Sequence, residues 1–301
     1  MYTSRRNFIK NTGLLVAGTA LMPNHLFAST KKIERLGLQL YTVRDAMKVD
    51  PAATLKKISD MGYEHVEHAN YIDRKFYGYT VKDFKKLLND VIVQMPSGHT
   101  VMSQKHWDKS TNDFTDAWKY TIEDAAEVGQ KYVISPGLDD NLKTDESAFK
   151  AFMDVFNKCG ELCQKHDLRF GYHNHDFEFT SMFGDKRLYD VMLENTDPKL
   201  VTQQLDIGNM VMAGAQPLDY LKKYPDRFEL MHVKDVLKPA GSEKFENTLL
   251  GKGVLPLKEI LKTARKVGGT SQFIIEQEEY QGMDPLACSK LDLKVMNNWG
   301  Y

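Results

Sequence analysis

Imidazoles, carboxylates and an amine recur at the ends of four short apolar runs in the C-terminal half of the chain. The runs end Tyr172-His173-Asn174-His175-Asp176-Phe177-Glu178, Gln204-Leu205-Asp206-Ile207-Gly208-Asn209, Met231-His232-Val233-Lys234-Asp235 and Ile275-Glu276-Gln277-Glu278. These are the donors that a divalent transition metal takes. Each has an ordinary structural explanation when taken singly. A histidine at a strand end is commonly a satisfied structural residue, and an aspartate just before glycine is commonly a turn former. Four successive runs ending in ligand-type residues point instead to a metal site.

Side chains two apart on an extended segment share a face. That pairs His173 with His175, Gln204 with Asp206, His232 with Lys234 and Glu276 with Glu278. Asp206, His232 and Glu276 are the expected ligands, and the fourth comes from His173 or from Glu178 folding back from its loop. Lys234 is then placed to bind a substrate oxygen, or else to bridge a rim carboxylate such as Asp235. Glu276, His175 and Glu178 are the candidates for base and acid. Earlier in the chain Gln39 and Tyr41, Glu67, and His99 of Ser97-Gly98-His99 could line a sugar pocket. His99 reads equally well as a loop histidine with no role. Gly251-Lys252-Gly253 precedes a helical pattern, where backbone N–H groups form either a plain turn or an anion nest.

The elements that must position these residues alternate. Strand patterns occur at Leu36–Tyr41, His65–Glu67, Val91–Met95, Tyr132–Ser135, Arg169–His173, Val201–Leu205, Glu229–Val233 and Phe273–Glu276. Helical patterns lie between them at Ala52–Met61, Val81–Leu88, Thr111–Val128, Ser147–Lys165, Lys186–Glu194, Leu218–Lys223 and Leu257–Lys266, with a last one from about Pro285 to Asn297. Such alternation gives βαβ units and a parallel sheet. Eight pairs are the number that closes a (β/α)8 TIM barrel, in which sites collect at the C-terminal strand ends. The rival, a doubly wound open sheet, usually has a Gly-rich turn after its first strand, where this chain has Tyr41-Thr42-Val43-Arg44.

Lys and Arg total 40 against 41 Asp and Glu, so no global basic field exists for nucleic acid. The three cysteines are too few for a disulfide scaffold, and Cys159 and Cys163 are expected to pack as small apolar residues. Residues 1–28 carry Arg5-Arg6 and Lys10, an apolar stretch from Gly13 to Met22, and no acid. The stretch is too short to span a bilayer and reads as a twin-arginine-type signal peptide. A single barrel domain is expected over 29–301, periplasmic or otherwise exported, and without a stable membrane anchor once the signal is removed. That removal takes the formal charge from −1 to −4.

The mature chain resembles the xylose isomerase-like TIM barrels, the sugar phosphate isomerase/epimerase group. Leu38-Gln39-Leu40-Tyr41-Thr42-Val43-Arg44 is similar to its first strand, and the runs ending in Asp206, His232 and Glu276 are similar to its metal-bearing strands. The resemblance implies one divalent ion (Mn, Co, Zn or Mg) held by Glu, Asp, His and Glu, three of which Asp206, His232 and Glu276 match. His173 stands where many members have a glutamate, and a His-x-His ending is closer to the inosose dehydratase branch, which eliminates. The implied function is a sugar isomerase or epimerase that removes a proton beside a sugar carbonyl through a metal-stabilised enediolate. The alternatives are a lyase, hydratase or dehydratase of keto-sugars or 3-keto-glycosides, and a non-catalytic sugar-binding protein. The expected partner is a small sugar or glycoside.

Overall fold

The computed structural model describes residues 35–301, and the expected signal peptide lies outside the described residues. Eight parallel strands close into a barrel in sequential order. They are β1 (Arg35–Gln39), β2 (His65–His68), β3 (Gln94–His99), β4 (Tyr132–Ser135), β5 (Arg169–His173), β6 (Val201–Asp206), β7 (Leu230–Val233) and β8 (Gln272–Ile275). The main helices are α1 (Pro51–Asp60), α2 (Val81–Asp90), α3 (Asp116–Val128), α4 (Glu146–Gln164), α5 (Leu188–Asn195), α6 (Pro217–Lys223), α7 (Leu257–Thr263) and α8 (Pro285–Asn298). Several start where the sequence supplies a cap. Asp50, Thr80, Asp145 and Asp284 each accept the backbone N–H three residues on, and Pro51 and Pro285 take the first helical position.

Apolar residues at helical spacing turn each helix toward the barrel. On α4 the stripe Phe149, Phe152, Met153, Phe156, Cys159 and Cys163 is buried, with both cysteines unpaired. A Cβ at Gly160 would come within 2.5 Å of the Leu200 carbonyl, so glycine sets how closely α4 packs. Inside the barrel, Ile134, Leu230 and Ile274 form a separate small apolar cluster. Two residues further along their strands, on the same face, stand His232 and Glu276. The barrel interior is thus apolar below and polar toward the C-terminal rim.

Three elements differ from the sequence reading. β3 spans Gln94–His99 rather than Val91–Met95, because Val91 ends α2 and Ile92 turns the chain at φ +57°. The strand therefore carries Ser97, Gly98 and His99 into the barrel, and a Cβ at Gly98 would collide with the His68 ring at 1.9 Å. β1 stops at Gln39, and Leu40–Val43 form a 3₁₀ turn, so Gln39 and Tyr41 do not share a strand face. The Thr111 helix begins only at Asp116, after a two-stranded ribbon of Trp107–Asp108 and Asp113–Phe114. Among the described residues no helix is long and apolar enough to cross a membrane.

Candidate metal and substrate site

Strand register assembles the ligand set. His173 on β5 lies beside Gln204 on β6, Asp206 beside His232 on β7, and Glu276 directly follows β8. His173, Asp206, His232 and Glu276 are all buried, and one donor atom from each lies within 4.8 Å of the others. His99, His173 and His232 form an overlapping trio of the same kind.

Three of the four candidate ligands are held by neighbours outside the cluster. His232 turns Nδ1 toward Glu276 Oε2 (2.8 Å), and its Nε2 contacts Glu67 Oε1 (2.6 Å). His173 places Nδ1 3.0 Å from Gln204 Oε1, which directs Nε2 toward Asp206 Oδ2 at 3.8 Å. The Asp206 carboxylate accepts the backbone N–H and the side-chain amide of Asn209 (2.8 and 3.0 Å), capping the short helix Ile207–Met212. Its backbone is clamped reciprocally by Asn174, which accepts Asp206 N–H and donates to Asp206 O. Imidazoles whose second nitrogen is held by a carboxylate or amide are the usual companions of a metal ion.

Glu67 is the hub beneath. Gln39 Nε2 (2.6 Å), Gln204 Nε2 (2.7 Å), Ser97 Oγ and His232 Nε2 all bond to it, with His99 Nε2 at 3.2 Å. Burial alone would favour its neutral form, yet the His99 and His232 imidazoles beside it hold its carboxyl well below the usual range. The same balance governs His232: burial disfavours its charge, but Glu276 and Glu67 on either side push it up to about 10. His173 has no such carboxylate clamp, and burial with the neighbouring His232 and His99 keeps it neutral.

Lys234 is buried too, and its ammonium is spent. It bridges Asp206 Oδ2 and Glu276 Oε2, both at 2.8 Å, and Glu278. Those three carboxylates outweigh burial and keep it charged. Its partners among the described residues are thus two carboxylates of the candidate cluster and Glu278, not Asp235. Gly208 makes room for its stem, since a Cβ there would lie 2.8 Å from Lys234 Cβ. Asp235 instead accepts backbone N–H groups from Val236, Gly251, Gly253 and Leu255. The glycine-rich nest thus holds the chain's own carboxylate.

The residues present fit a divalent ion. Two carboxylates and two imidazoles converge; His173 is neutral with Nε2 free to coordinate, and His232, held charged between Glu276 and Glu67, would release its Nδ1 proton on binding an ion. Lys234 contacts the same carboxylate oxygens from one side and offsets their mutual repulsion.

Above the ligands opens a cavity of about 830 Å³. His99, His173, His175, Glu276 and Glu278 line its inner end, and Tyr41 also lines it. His175 makes no ring hydrogen bond among the described residues, and burial lowers its pKa, so a free imidazole faces the cavity at neutral pH. Gln39 and Glu67 do not line the cavity; both are wholly buried below it, as supports rather than sugar ligands. Glu178 is also wholly buried and outside the ligand cluster. It takes the Tyr172 hydroxyl (2.5 Å) and the His175 backbone N–H (2.9 Å), and burial pushes it up to about 8. It holds the His175 loop and lies outside the candidate ligand cluster and the cavity lining. Reading the sequence missed Gln204, Asn174 and Asn209 as supports. The recurrence of amides within three residues of ligand-type residues was the available signal.

The geometry has parallels among known proteins. Inosose dehydratase from Clostridium perfringens is 24% identical over 199 residues, 61% of this chain and 65% of that protein. The chain thus spans just under two thirds of that relative's length. A sugar phosphate isomerase/epimerase structure from Parabacteroides distasonis is 28% identical, with a TM-score of 0.74, covering 88% of this chain and 98% of its own. The IOLI protein, solved with a zinc atom, shares the fold at 14% identity and TM-score 0.67, covering 88% of this chain and 97% of its own. The xylose isomerase-like TIM barrel family matches residues 55–299, and the chain belongs to it.

Proposed function

We propose that the protein is a metal-dependent lyase or dehydratase that removes a proton beside the carbonyl of a keto-sugar or keto-polyol ring and expels a β-oxygen substituent. The observation that carries this reading is the base inventory of the cavity. Epimerisation by two opposed carboxylates needs a glutamate at the end of β5. This chain has His173 there, and Glu178 faces Tyr172 and the backbone instead.

A syn elimination needs only one such group. His175, neutral and facing the cavity, takes the proton as the C–H bond breaks. The C–H electron pair forms the new C=C bond, the β C–O bond breaks with its pair leaving on oxygen, and the His175 imidazolium returns the proton to that oxygen. Glu178 steadies the loop through the His175 N–H. His173, Asp206, His232 and Glu276 would hold the ion, which supplies Lewis-acid stabilisation of oxyanion charge. The relatives' names, a dehydratase and a sugar phosphate isomerase/epimerase, support a reaction on a sugar or polyol ring. A second reading, isomerisation or epimerisation, would use Glu276, which lines the cavity together with His175.

The test is NMR in D₂O with metal-loaded protein and a panel of inososes, free ketoses and 3-keto-glycosides. Loss of water or alcohol with an unsaturated ketone as product is the expected outcome. Deuterium at the α-carbon with sugars interconverting supports the second reading, and no exchange with any compound sinks both.

A further inference from the structure

The cavity does not end at the ring-sized space above the ligands. Its outer half runs between the Tyr71–Phe76 hairpin, the Thr100–Val101 segment and α3. A hexose of about twelve non-hydrogen atoms displaces at most about 360 Å³, taking ~30 Å³ for each as for a water. The whole cavity is about 830 Å³, so a single ring leaves most of it unfilled.

The outer half carries exposed apolar side chains among polar ones and is held in place. Tyr41, Ile72, Val101 and Tyr120 are four of the large hydrophobic side chains left exposed among the described residues, and all four line this one cavity. Clustered exposure of that kind marks a binding surface. Asp73 and Arg74 have φ of +50° and +60°, which gives the hairpin a tight turn matched to its twist. Asp124 on α3, itself buried, then anchors the hairpin. It accepts the Tyr71 hydroxyl (2.6 Å) and Arg74 Nε and Nη2 (2.9 and 2.5 Å). The Arg74 guanidinium also lies 4.4 Å from the Tyr120 ring centroid, as Arg44 lies 4.6 Å from that of Tyr41. Each tyrosine thus has a cation beside its ring and still exposes 42% of its surface.

Little free positive charge is left in this half for a phosphate. Arg74 is committed to Asp124, and the Gly251 nest is filled by Asp235. Lys105 is the one lysine or arginine lining the cavity without an ion pair among the described residues. We propose that the outer half is a subsite for a planar apolar substituent on the sugar ring, so the substrate is a conjugate of the aryl-glycoside type rather than a free or phosphorylated sugar. This rests on the proposed reaction of the ring at the inner end.

The experiment compares kcat/KM for the 3-keto forms of phenyl and methyl β-glucoside, in the wild type and in Ile72→Ser/Tyr120→Ser. The wild type should favour the phenyl compound by roughly tenfold or more beyond the leaving-group difference, which is common to both proteins, so the ratio should fall by about that factor in the double variant. An unchanged ratio, or a preference for a phosphorylated ketose, overturns the proposal. Should neither compound react, the reaction proposed for the inner end fails by itself. Saturation-transfer NMR with unoxidised phenyl and methyl β-glucosides then decides the subsite. Phenyl-specific transfer lost in the double variant supports it, and its absence in the wild type overturns it.

Discussion

Glu67 shows how far residue types alone lead and where they stop. A glutamate at the end of a barrel strand reads as a group for the substrate, because strand ends face the site. What decides its role is the ring of donors from four other strands: Gln39, Ser97 with His99, Gln204 and His232. No spacing rule links residues 39, 67, 97, 204 and 232, so this convergence was not legible. The ligand-type residues were legible, because each sits at the end of its own apolar run. In Glu67→Gln an amide N–H must face at least one of these donors, and His232 loses a charged partner. Such unsatisfied buried groups cost about 1–3 kcal/mol. Loss of an outer partner of a metal-site histidine typically weakens metal binding 10–100-fold. Titration calorimetry with zinc should show that loss in Glu67→Gln while circular dichroism remains native. Unchanged affinity would mean that Glu67 does not position His232.

At the scale of elements, alternation of apolar runs and amphipathic stretches revealed the barrel, and the errors fell where local signals compete. The Val91-Ile92-Val93 run has strand propensity, but Ile92 serves as the turn between α2 and β3. Glycine and proline in β3 hide a strand whose close approach to His68 demands Gly98. A buried acid on α8 gives an independent test of how the last helix is joined to the rim. Asp292 accepts the Leu250 N–H at 2.8 Å. Burial, opposed by that hydrogen bond and reinforced by Asp235, pushes its pKa up to about 7. The unfolded chain releases this proton near pH 4, so the folded state holds a proton that the unfolded state lacks between the two values. This group's effect on stability is therefore unfavourable above pH 4, grows as pH rises, and levels off above pH 7 at a cost of about 4 kcal/mol. Asn keeps an acceptor for Leu250 and removes the titration. Thermal melts should show Asp292→Asn more stable than the wild type at pH 8, with the gap shrinking at pH 5. A gap independent of pH would sink the assignment.

For the whole molecule, the ligand cluster and the barrel closure are one structure. The four candidate ligands come from β5, from β6, from β7 and from the end of β8, the contiguous half of the barrel whose strands pair in that order. An ion held by all four ties those strands together at the rim, and the unfolded chain cannot present the same set. Binding to the folded state alone adds about 2.7 kcal/mol when the free metal is 100-fold above its Kd. For a domain of this size each kcal/mol moves Tm by about 2–4 °C, so saturating metal should raise Tm by roughly 5–10 °C. Scanning calorimetry of chelator-treated protein, titrated separately with zinc, manganese, cobalt and magnesium, would show which ion produces the shift. His173→Gln should shrink it, because Nε2 of His173 is the donor aimed at Asp206 and the glutamine replaces a fixed imidazole with a flexible amide. Glu178→Gln should leave it intact, since Glu178 bonds Tyr172 and the His175 backbone rather than the cluster. If Glu178→Gln abolished the shift and His173→Gln did not, the loop carboxylate would be the fourth ligand and the role of His173 would have to be reassigned. No shift with any of the four metals would remove the metal from the mechanism and leave His175, Glu276 and the cavity to be explained as a sugar-binding site.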